Sequence, residues 1–174
     1  MLEMIGGAIY LMLPAYVANM SAVIAGRGGR PIDNGKTWRG KPIFGNGKTW
    51  RGLVGGSLIG WAAGLAMVAI HSPFGDFPGS LLPPFMLSLG ALLGDLGGSF
   101  IKRRAGIKRG GSIPILDQLD FVAGSLALTF IICGDWSFAE VTPERLAVIL
   151  ILTPLLHLLA NYLAYLLKLK DVPW

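Results

Sequence analysis

Five long apolar stretches constrain the fold of this chain more than any other feature. They cover roughly residues 3–25, 53–71, 80–101, 118–134 and 145–167. A helix needs about 20 apolar residues to cross a bilayer, and these stretches meet or approach that length. Charged residues make up only 14% of the 174 residues, which is far below a soluble domain. We therefore predict an all-α membrane protein with one domain, residues 1–174, built as a bundle of five transmembrane helices.

The distribution of basic residues predicts the orientation of this bundle. Every lysine and arginine except Arg145 lies in residues 26–52, in residues 102–117 or in the C-terminal tail, whereas 72–79 and 135–144 contain none. Cytoplasmic loops of membrane proteins are rich in Lys and Arg. The pattern predicts two long cytoplasmic loops, a cytoplasmic C-terminus and an N-terminus outside. We expect a multi-pass protein of the cell membrane, surrounded by membrane lipids.

Glycines recur every four residues in two of the predicted spans. The second span carries Gly52, Gly56, Gly60 and Gly64, and the third carries Gly90, Gly94 and Gly98. Such ridges of small residues allow membrane helices to approach closely. We interpret both ridges as packing surfaces.

Three carboxylates lie near the predicted cytoplasmic ends of the spans, where acidic residues usually mark function. Asp95 precedes Lys102 by about 10 Å along the third span, and Ser99 and Lys102 share its helix face. Asp117 and Asp120 open the fourth span, where the helix dipole favours carboxylates. Capping the helix is an alternative role for Asp117.

Carboxylates at that depth need cations, either from the basic residues of the second loop or from a bound metal. Oxygen ligands in a hydrated site suit Mg²⁺, which usually arrives with substrate phosphates. Two histidines and one cysteine argue against a zinc or iron–sulfur site. In the fifth span, Thr153, His157 and Asn161 form a thin polar stripe, which indicates either hydrogen bonds between helices or the lining of a cavity.

The heptapeptide NGKTWRG occurs twice, at residues 34–40 and 46–52. Each copy contains Gly-Lys-Thr, but a phosphate-binding P-loop also requires a glycine five residues earlier. Arg30 and Pro42 stand at those positions, so the sequence excludes a P-loop nucleotidase. What remains is a basic loop beside an acidic site.

The two loops together resemble the signature of CDP-diacylglycerol synthases. That resemblance is carried by Ser99-Phe100-Ile101-Lys102-Arg103, by Lys108 and by Asp117-Gln118-Leu119-Asp120. The loop is shorter than in that signature, His-Gly-Gly is missing, and Gln118 replaces an arginine. These departures, and the run from Ile43 to Gly52, are similar instead to the archaeal branch of the family, the CDP-archaeol synthases.

The resemblance implies a reaction in which the phosphate of 2,3-di-O-geranylgeranylglycerol 1-phosphate attacks CTP, giving CDP-archaeol and pyrophosphate. It implies Mg²⁺ on Asp117 and Asp120, with Asp95 as a further ligand or in support of the ligands. The implied catalytic residues also include Lys102 and Arg103. The remaining residues of the expected substrate site are Lys48, Thr49, Arg51, Ser99, Lys108, Gly110, Gly111 and Ser112. The implied partners are CTP and the ether-lipid phosphate.

Two other functions compete with this interpretation. A lipid or polyprenol kinase that uses ATP would share the metal and the location of the site. A small ion-coupled transporter would spread its acidic residues across the membrane, whereas here all three lie near one side. Nothing in the sequence indicates nucleic-acid binding, and homodimerisation is left open.

The repeated heptapeptide also has two interpretations. Either both copies bind phosphate, or only the second copy, which adjoins the second span, takes part and the first is a tolerated duplication. We expect the second, because ordering Lys36 and Arg39 over the site would cost more chain entropy than ordering Lys48.

The charge pattern makes a testable prediction about topology. Single cysteines replacing Ser80 and Ser112, in a Cys133→Ala background, should react with a membrane-impermeant thiol reagent from opposite sides of the membrane. The unmodified Cys133→Ala protein is the control. Labelling of both cysteines from the same side would contradict the five-span arrangement.

Overall fold

The computed structural model describes residues 2–69 and 80–169 of the protein. Its helices and strands, in chain order, are α1 Leu2–Ala25, β1 Thr37–Trp38, β2 Lys41–Pro42, α2 Trp50–Ala69, α3 Leu82–Arg104, α4 Pro114–Ile132, α5 Gly134–Glu140 and α6 Pro143–Leu166. The five long helices are each long and apolar enough to cross a membrane, which confirms the predicted number of spans. Large apolar side chains remain exposed along α6, such as Ile151 (70% exposed) and Leu155 (62%), as expected of a surface in contact with lipid.

The structure corrects the predicted boundaries and adds two small elements. The fourth span begins at Pro114, four residues before the predicted start, because proline is well suited to the first position of a helix. Residues 135–140, part of the loop expected at 135–144, lie instead in the short helix α5, which begins at Gly134. The first long loop contains a two-stranded hairpin of β1 and β2. The predicted loop 72–79 and Lys170 lie outside the described residues.

Glycines bring the helices together, as the sequence predicts. A Cβ added at Gly60 of α2 would lie 2.5 Å from the carbonyl oxygen of Pro14 in α1. A Cβ added at Gly90 of α3 would lie 2.6 Å from the carbonyl oxygen of Gly124 in α4. The two ridges therefore have different partners: α2 packs closely on α1, and α3 packs closely on α4.

The core lies where α1, α3, α4 and α6 meet. Its largest fully buried apolar side chains are Met12, Leu87, Phe121, Val122 and Ile149. Hydroxyl groups join the helices around this core: the Tyr16 and Thr153 hydroxyls lie 2.7 Å apart, and the Ser125 hydroxyl donates to the Leu87 carbonyl at 2.9 Å. Side-chain hydroxyls thus contribute hydrogen bonds between helices that are otherwise apolar.

The two copies of NGKTWRG adopt different structures. In the first, Thr37 and Trp38 form β1, and the turn to β2 has positive φ at Arg39 (51°) and Gly40 (72°), as in a type I′ hairpin. In the second copy, Trp50 starts α2. Pro42 explains the difference, because it follows the first copy by two residues and would disrupt a helix that began at Trp38.

The glycine contacts predict a sharp difference between two neighbouring positions. A methyl group at Gly94 would overlap the backbone of Asp120, whereas one at Gly97 would meet no atom within 4 Å. Gly94→Ala should therefore destabilise the protein by about 2 kcal/mol or more, a typical result of overpacking, and Gly97→Ala should leave it unchanged or slightly stabilised. Thermal unfolding in detergent measures both. Equal unfolding temperatures would contradict the tight α3–α4 contact.

Candidate active site

A cavity of about 570 Å³ lies at the end of the bundle that carries the two long loops, which we call the loop end. All five long helices contribute to its wall. The expected site residues on this wall are Lys48, Thr49, Asp95, Ser99, Lys102, Arg103, Gly110, Gly111, Asp117 and Asp120. The structure therefore brings together most of a set that is spread over 73 positions of the chain.

Two ion pairs span the charged part of this cavity. The Lys48 ammonium, from the first long loop, contacts the Asp95 carboxylate of α3. The Lys102 ammonium, at the end of α3, lies 2.7 Å from Oδ1 of Asp117 in α4. Both pairs are partly buried, with the Lys102 and Asp117 side chains 15% and 18% exposed. Lys48 and Asp95 are 47 residues apart, whereas Lys102 and Asp117 lie on consecutive helices. The protein's own lysines thus balance two of the three carboxylates.

The remaining lone pairs of these carboxylates are available to a ligand. Oδ1 of Asp117 is buried and accepts no hydrogen bond, since its contact with Lys102 is ionic and lacks hydrogen-bond geometry. Asp120 accepts a hydrogen bond from the Phe121 N–H at 2.7 Å and forms no ion pair with any described residue. Its other oxygen, Oδ2, occupies the space that a side chain at position 98 would fill if Gly98 were a larger residue. Under-coordinated carboxylate oxygens on a cavity wall fit a hard cation.

The position of Asp117 corrects one expectation. Because α4 begins at Pro114, Asp117 lies inside the first turn and Ile113 is the capping residue. The Asp117 carboxylate reaches back and accepts a hydrogen bond from the Ile113 N–H at 3.1 Å. It therefore supports the start of the helix with one oxygen and faces the cavity with the other.

Arg103 connects the two long loops. Its guanidinium donates to the Phe44 carbonyl at 3.3 Å and to the Ile107 carbonyl. Arg103 lines the cavity together with Arg109, whose Nε lies close to Gly47. The side of the cavity nearest the loops is thus cationic, and the carboxylates lie on the helices beneath it.

Four expected site residues have a different place or partner in the structure. Arg51, Lys108 and Ser112 are absent from the cavity wall; Arg51 is exposed on the first turn of α2, and Lys108 lines a smaller adjoining pocket. The Thr49 hydroxyl donates to the Gly26 carbonyl and accepts from the Gly52 N–H, both at 3.1 Å. The Thr49 side chain therefore caps the start of α2 while it lies on the cavity wall.

The polar stripe of the fifth span serves both of its expected roles. Thr153 hydrogen-bonds with Tyr16 in α1, which joins two helices. One and two turns further on, His157 and Asn161 lie on the cavity wall. The His157 ring stacks on Phe121 at a centroid distance of 6.0 Å. Thr153 thus joins two helices, whereas His157 and Asn161 line the cavity.

Only the second heptapeptide copy reaches the cavity. Lys48 lies on its wall, while Lys36 and Arg39 do not. The first copy is nevertheless packed against the bundle, because Trp38 stacks on Phe100 with ring centroids 5.5 Å apart. The Arg104 guanidinium lies over both rings, at 5.3 and 5.2 Å, and donates to the Trp38 carbonyl. The first copy therefore anchors the loop.

Sequence reasoning missed two residues near the site. Asn19 lies on the cavity wall, and a polar amide within the apolar span of α1 was the signal for it. Asp33 is buried, at 5% exposure, in the first long loop. Burial alone would raise the pKa of its carboxyl, but hydrogen bonds from the Gly45, Phe44 and Gly35 N–H groups outweigh burial and lower that pKa below its ordinary value.

Comparisons with known proteins agree with this geometry. The family model for CarS-like CDP-archaeol synthase matches residues 1–174. The CDP-archaeol synthase of Halorubrum lacusprofundi is 49% identical over 99% of this chain and 98% of its own length, and that of Methanosarcina mazei is 43% identical over 94% and 100%. A solved structure described as an intramembrane enzyme for archaeal membrane lipids biosynthesis has a TM-score of 0.71 and 41% identity, covering 88% of this chain and 92% of that one. This chain belongs to the CarS-like CDP-archaeol synthase family.

Proposed function

We propose that this protein transfers CMP from CTP to the phosphate of 2,3-di-O-geranylgeranylglycerol 1-phosphate, giving CDP-archaeol and pyrophosphate. Family membership supports the reaction. The structure supports this reaction chiefly through one cavity, which has a charged part and an apolar part. A lipid phosphate and a nucleotide need both kinds of surface at one place.

The apolar part of the cavity lies between α1 and α6. Val17, Met20 and Ile24 line it from α1, and Ala160 and Ala164 line it from α6. The lipid chains would lie against these side chains, with the lipid phosphate directed toward the lysines at the loop end. Burying apolar chain there is favourable by roughly 0.8 kcal/mol per methylene group, so the chains would contribute much of the affinity.

The orientation of the protein follows from the same chemistry. We place the loop end in the cytoplasm, where CTP is available and where the concentration of Lys and Arg in both long loops predicts it. The site then lies at the level of the lipid headgroups. A soluble nucleotide and a membrane-bound phosphate meet there without either leaving its own phase.

Mg²⁺ fits the carboxylates on the wall, with Asp117 and Asp120 as its principal ligands and Asp95 beside them. No group of three His, Cys, Asp or Glu side chains in residues 2–69 and 80–169 is close enough to enclose a metal. One or two carboxylates, with water and substrate phosphates, are the usual ligand set for Mg²⁺. When bound, the ion would neutralise phosphate charge that otherwise repels the attacking oxygen.

The two ion pairs suggest how the charges rearrange when substrates bind. Without substrates, Lys48 and Lys102 neutralise Asp95 and Asp117. With a cation and the triphosphate bound, Asp95 and Asp117 would have another positive partner, and the ammonium groups of Lys48 and Lys102 would be free to contact phosphate oxygens. Lysine suits this exchange, because its flexible stem and point charge can serve two partners.

The chemistry then needs positioning more than a base. The lipid phosphate is already an anion, so one of its oxygens can attack the α-phosphorus of CTP directly. The new P–O bond forms in line with the breaking bond to the β-phosphate, and pyrophosphate leaves with the electron pair. Lys48, Lys102 and Arg103 would hold the phosphates in that line and balance their charge.

Nucleotide choice distinguishes this function from a lipid kinase. Purified protein with the matched lipid phosphate should release pyrophosphate from CTP and give no nucleoside diphosphate from ATP. Phosphate transfer from ATP, with ADP as the product, would favour the kinase.

The carboxylates give the next prediction. Asp117→Asn and Asp120→Asn should each lower turnover on the order of 10³-fold, because losing a metal ligand removes several kcal/mol of transition-state stabilisation. Asp135→Asn removes the same charge from an exposed residue of α5 and is the matched control. Pyrophosphate release is measured across a Mg²⁺ titration, with thermal unfolding as a check on folding. Near-normal turnover of folded Asp120→Asn would refute the metal assignment.

The two heptapeptide copies give a matched pair of lysines. Lys48→Ala should lower kcat/KM for CTP by at least about tenfold, which corresponds to roughly 1.4 kcal/mol. Lys36→Ala, at the equivalent position of the first copy, should change it by less than about threefold on the same scale, because Lys36 is exposed and off the cavity wall. Equal losses would show that both copies bind the nucleotide.

A further inference from the structure

Asp33 is a buried carboxylate that the proposed reaction leaves without a role. It is off the cavity wall and forms no ion pair with any residue in 2–69 or 80–169. Its Oδ1 accepts from the Gly35 N–H at 3.0 Å. Its Oδ2 accepts from the Phe44 N–H at 2.9 Å and the Gly45 N–H at 2.8 Å. One side chain thus joins two parts of the loop about ten residues apart, at its first turn and at the approach to the second heptapeptide copy.

The segment that Asp33 holds contacts two cations of the cavity. The Gly45 carbonyl accepts from the backbone N–H of Lys48 at 3.1 Å, which closes the turn that carries this lysine. The Phe44 carbonyl accepts from the Arg103 guanidinium at 3.3 Å. Movement of Phe44 and Gly45 would therefore loosen the turn that carries Lys48, whose carbonyl also accepts from the Ile32 N–H at 2.8 Å, and would change the orientation of Arg103.

The other contacts of Phe44 and Gly45 do not replace the hydrogen bonds that their N–H groups donate to Asp33. The β1–β2 hairpin ends at Pro42, and one further backbone hydrogen bond, from the Ile43 N–H to the Lys36 carbonyl at 3.3 Å, reaches only the residue before Phe44. The centroids of the Phe44 and Phe100 rings lie 6.3 Å apart, with the rings tilted. This apolar side-chain contact does not orient the backbone N–H groups of Phe44 and Gly45. Gly45 has φ of +91°, a conformation that glycine adopts readily, so the backbone angle of this residue is not fixed by a side chain of its own.

We propose that Asp33 is a positioning residue for the nucleotide: it fixes Phe44 and Gly45 so that Lys48 and Arg103 face the triphosphate. This inference rests on the proposed function, since CTP is the ligand whose phosphates those two cations would hold. Asp33 touches neither substrate and acts through the backbone.

The charge of Asp33 persists throughout the range of an assay. Because backbone N–H donors lower the pKa of its carboxyl, the group stays ionised well below neutral pH. The stabilisation it supplies is present above the unfolded-state pKa, about 3.9, and is lost only as pH falls through the lower folded-state value. The factor by which an Asp33 variant changes the KM for CTP should therefore stay constant from about pH 6 to pH 9.

The test compares Asp33→Asn and Asp33→Ala with Asp135→Asn, which removes one carboxylate charge on α5. Both KM values are measured, for CTP and for the lipid phosphate, and CTP binding is measured separately by calorimetry in the absence of lipid. Asp33→Ala should raise the KM and the Kd for CTP by at least about tenfold. Asp33→Asn should fall between wild type and alanine, because its amide oxygen still accepts from Phe44 and Gly45. The KM for the lipid phosphate should change by less than about twofold.

The outcomes separate positioning from a general loss of structure. A folded Asp33→Asn protein with unchanged CTP affinity would overturn the inference, as would equal increases in both KM values or a pH-dependent effect. If Asp33→Ala does not fold, Asp33→Asn alone decides. Failure of wild type to use CTP would refute the proposed function, whereas wild-type activity with unaltered Asp33 variants would refute only the positioning role.

Discussion

The site depends on how closely α3 approaches α4. Gly90, Gly94 and Gly98 form the face of α3 that meets α4, and a side chain at the last of these would occupy the position of the Asp120 carboxylate. The same face therefore packs the bundle and leaves room for an acidic group. Asp95 and Lys102 extend from α3 beside this contact, so the helix spacing that glycine allows also sets the spacing of the charges. Packing and chemistry cannot be varied independently here.

Much of this arrangement could be predicted from the sequence, because it follows from helix periodicity. The five spans, the two glycine ridges and the shared location of Asp95, Asp117 and Asp120 all depend on local spacing in long helices, and the structure has each of them. The starts of helices were less predictable. Pro114 extends α4 by a turn and moves Asp117 from a capping position into the helix.

The loops were the least predictable part, since their structure depends on distant partners. Identical heptapeptides form a hairpin in one place and a helix start in the other. Pro42 indicates where the difference arises, but the docking of Trp38 beneath Arg104 requires the end of α3, more than 60 residues away in the sequence. Asp33 was missed for a related reason: its donors are backbone N–H groups, which carry no signature in the sequence.

Lysines balance part of the negative charge of the acidic residues at the site. Carboxylates partly removed from water at the membrane boundary would be costly if left unpaired. Lys48 and Lys102 balance two of them without substrate. Lys48 comes from the first long loop and pairs with Asp95 of α3, whereas Lys102 comes from α3 and pairs with Asp117 of α4. The same pairs would compete with the proposed Mg²⁺ at Asp95 and Asp117, whereas Asp120 forms no ion pair with any described residue. A bound triphosphate would reduce that competition, since it would supply new anionic partners for both lysines. If the proposed function is right, metal and nucleotide should therefore bind more favourably together than either binds alone.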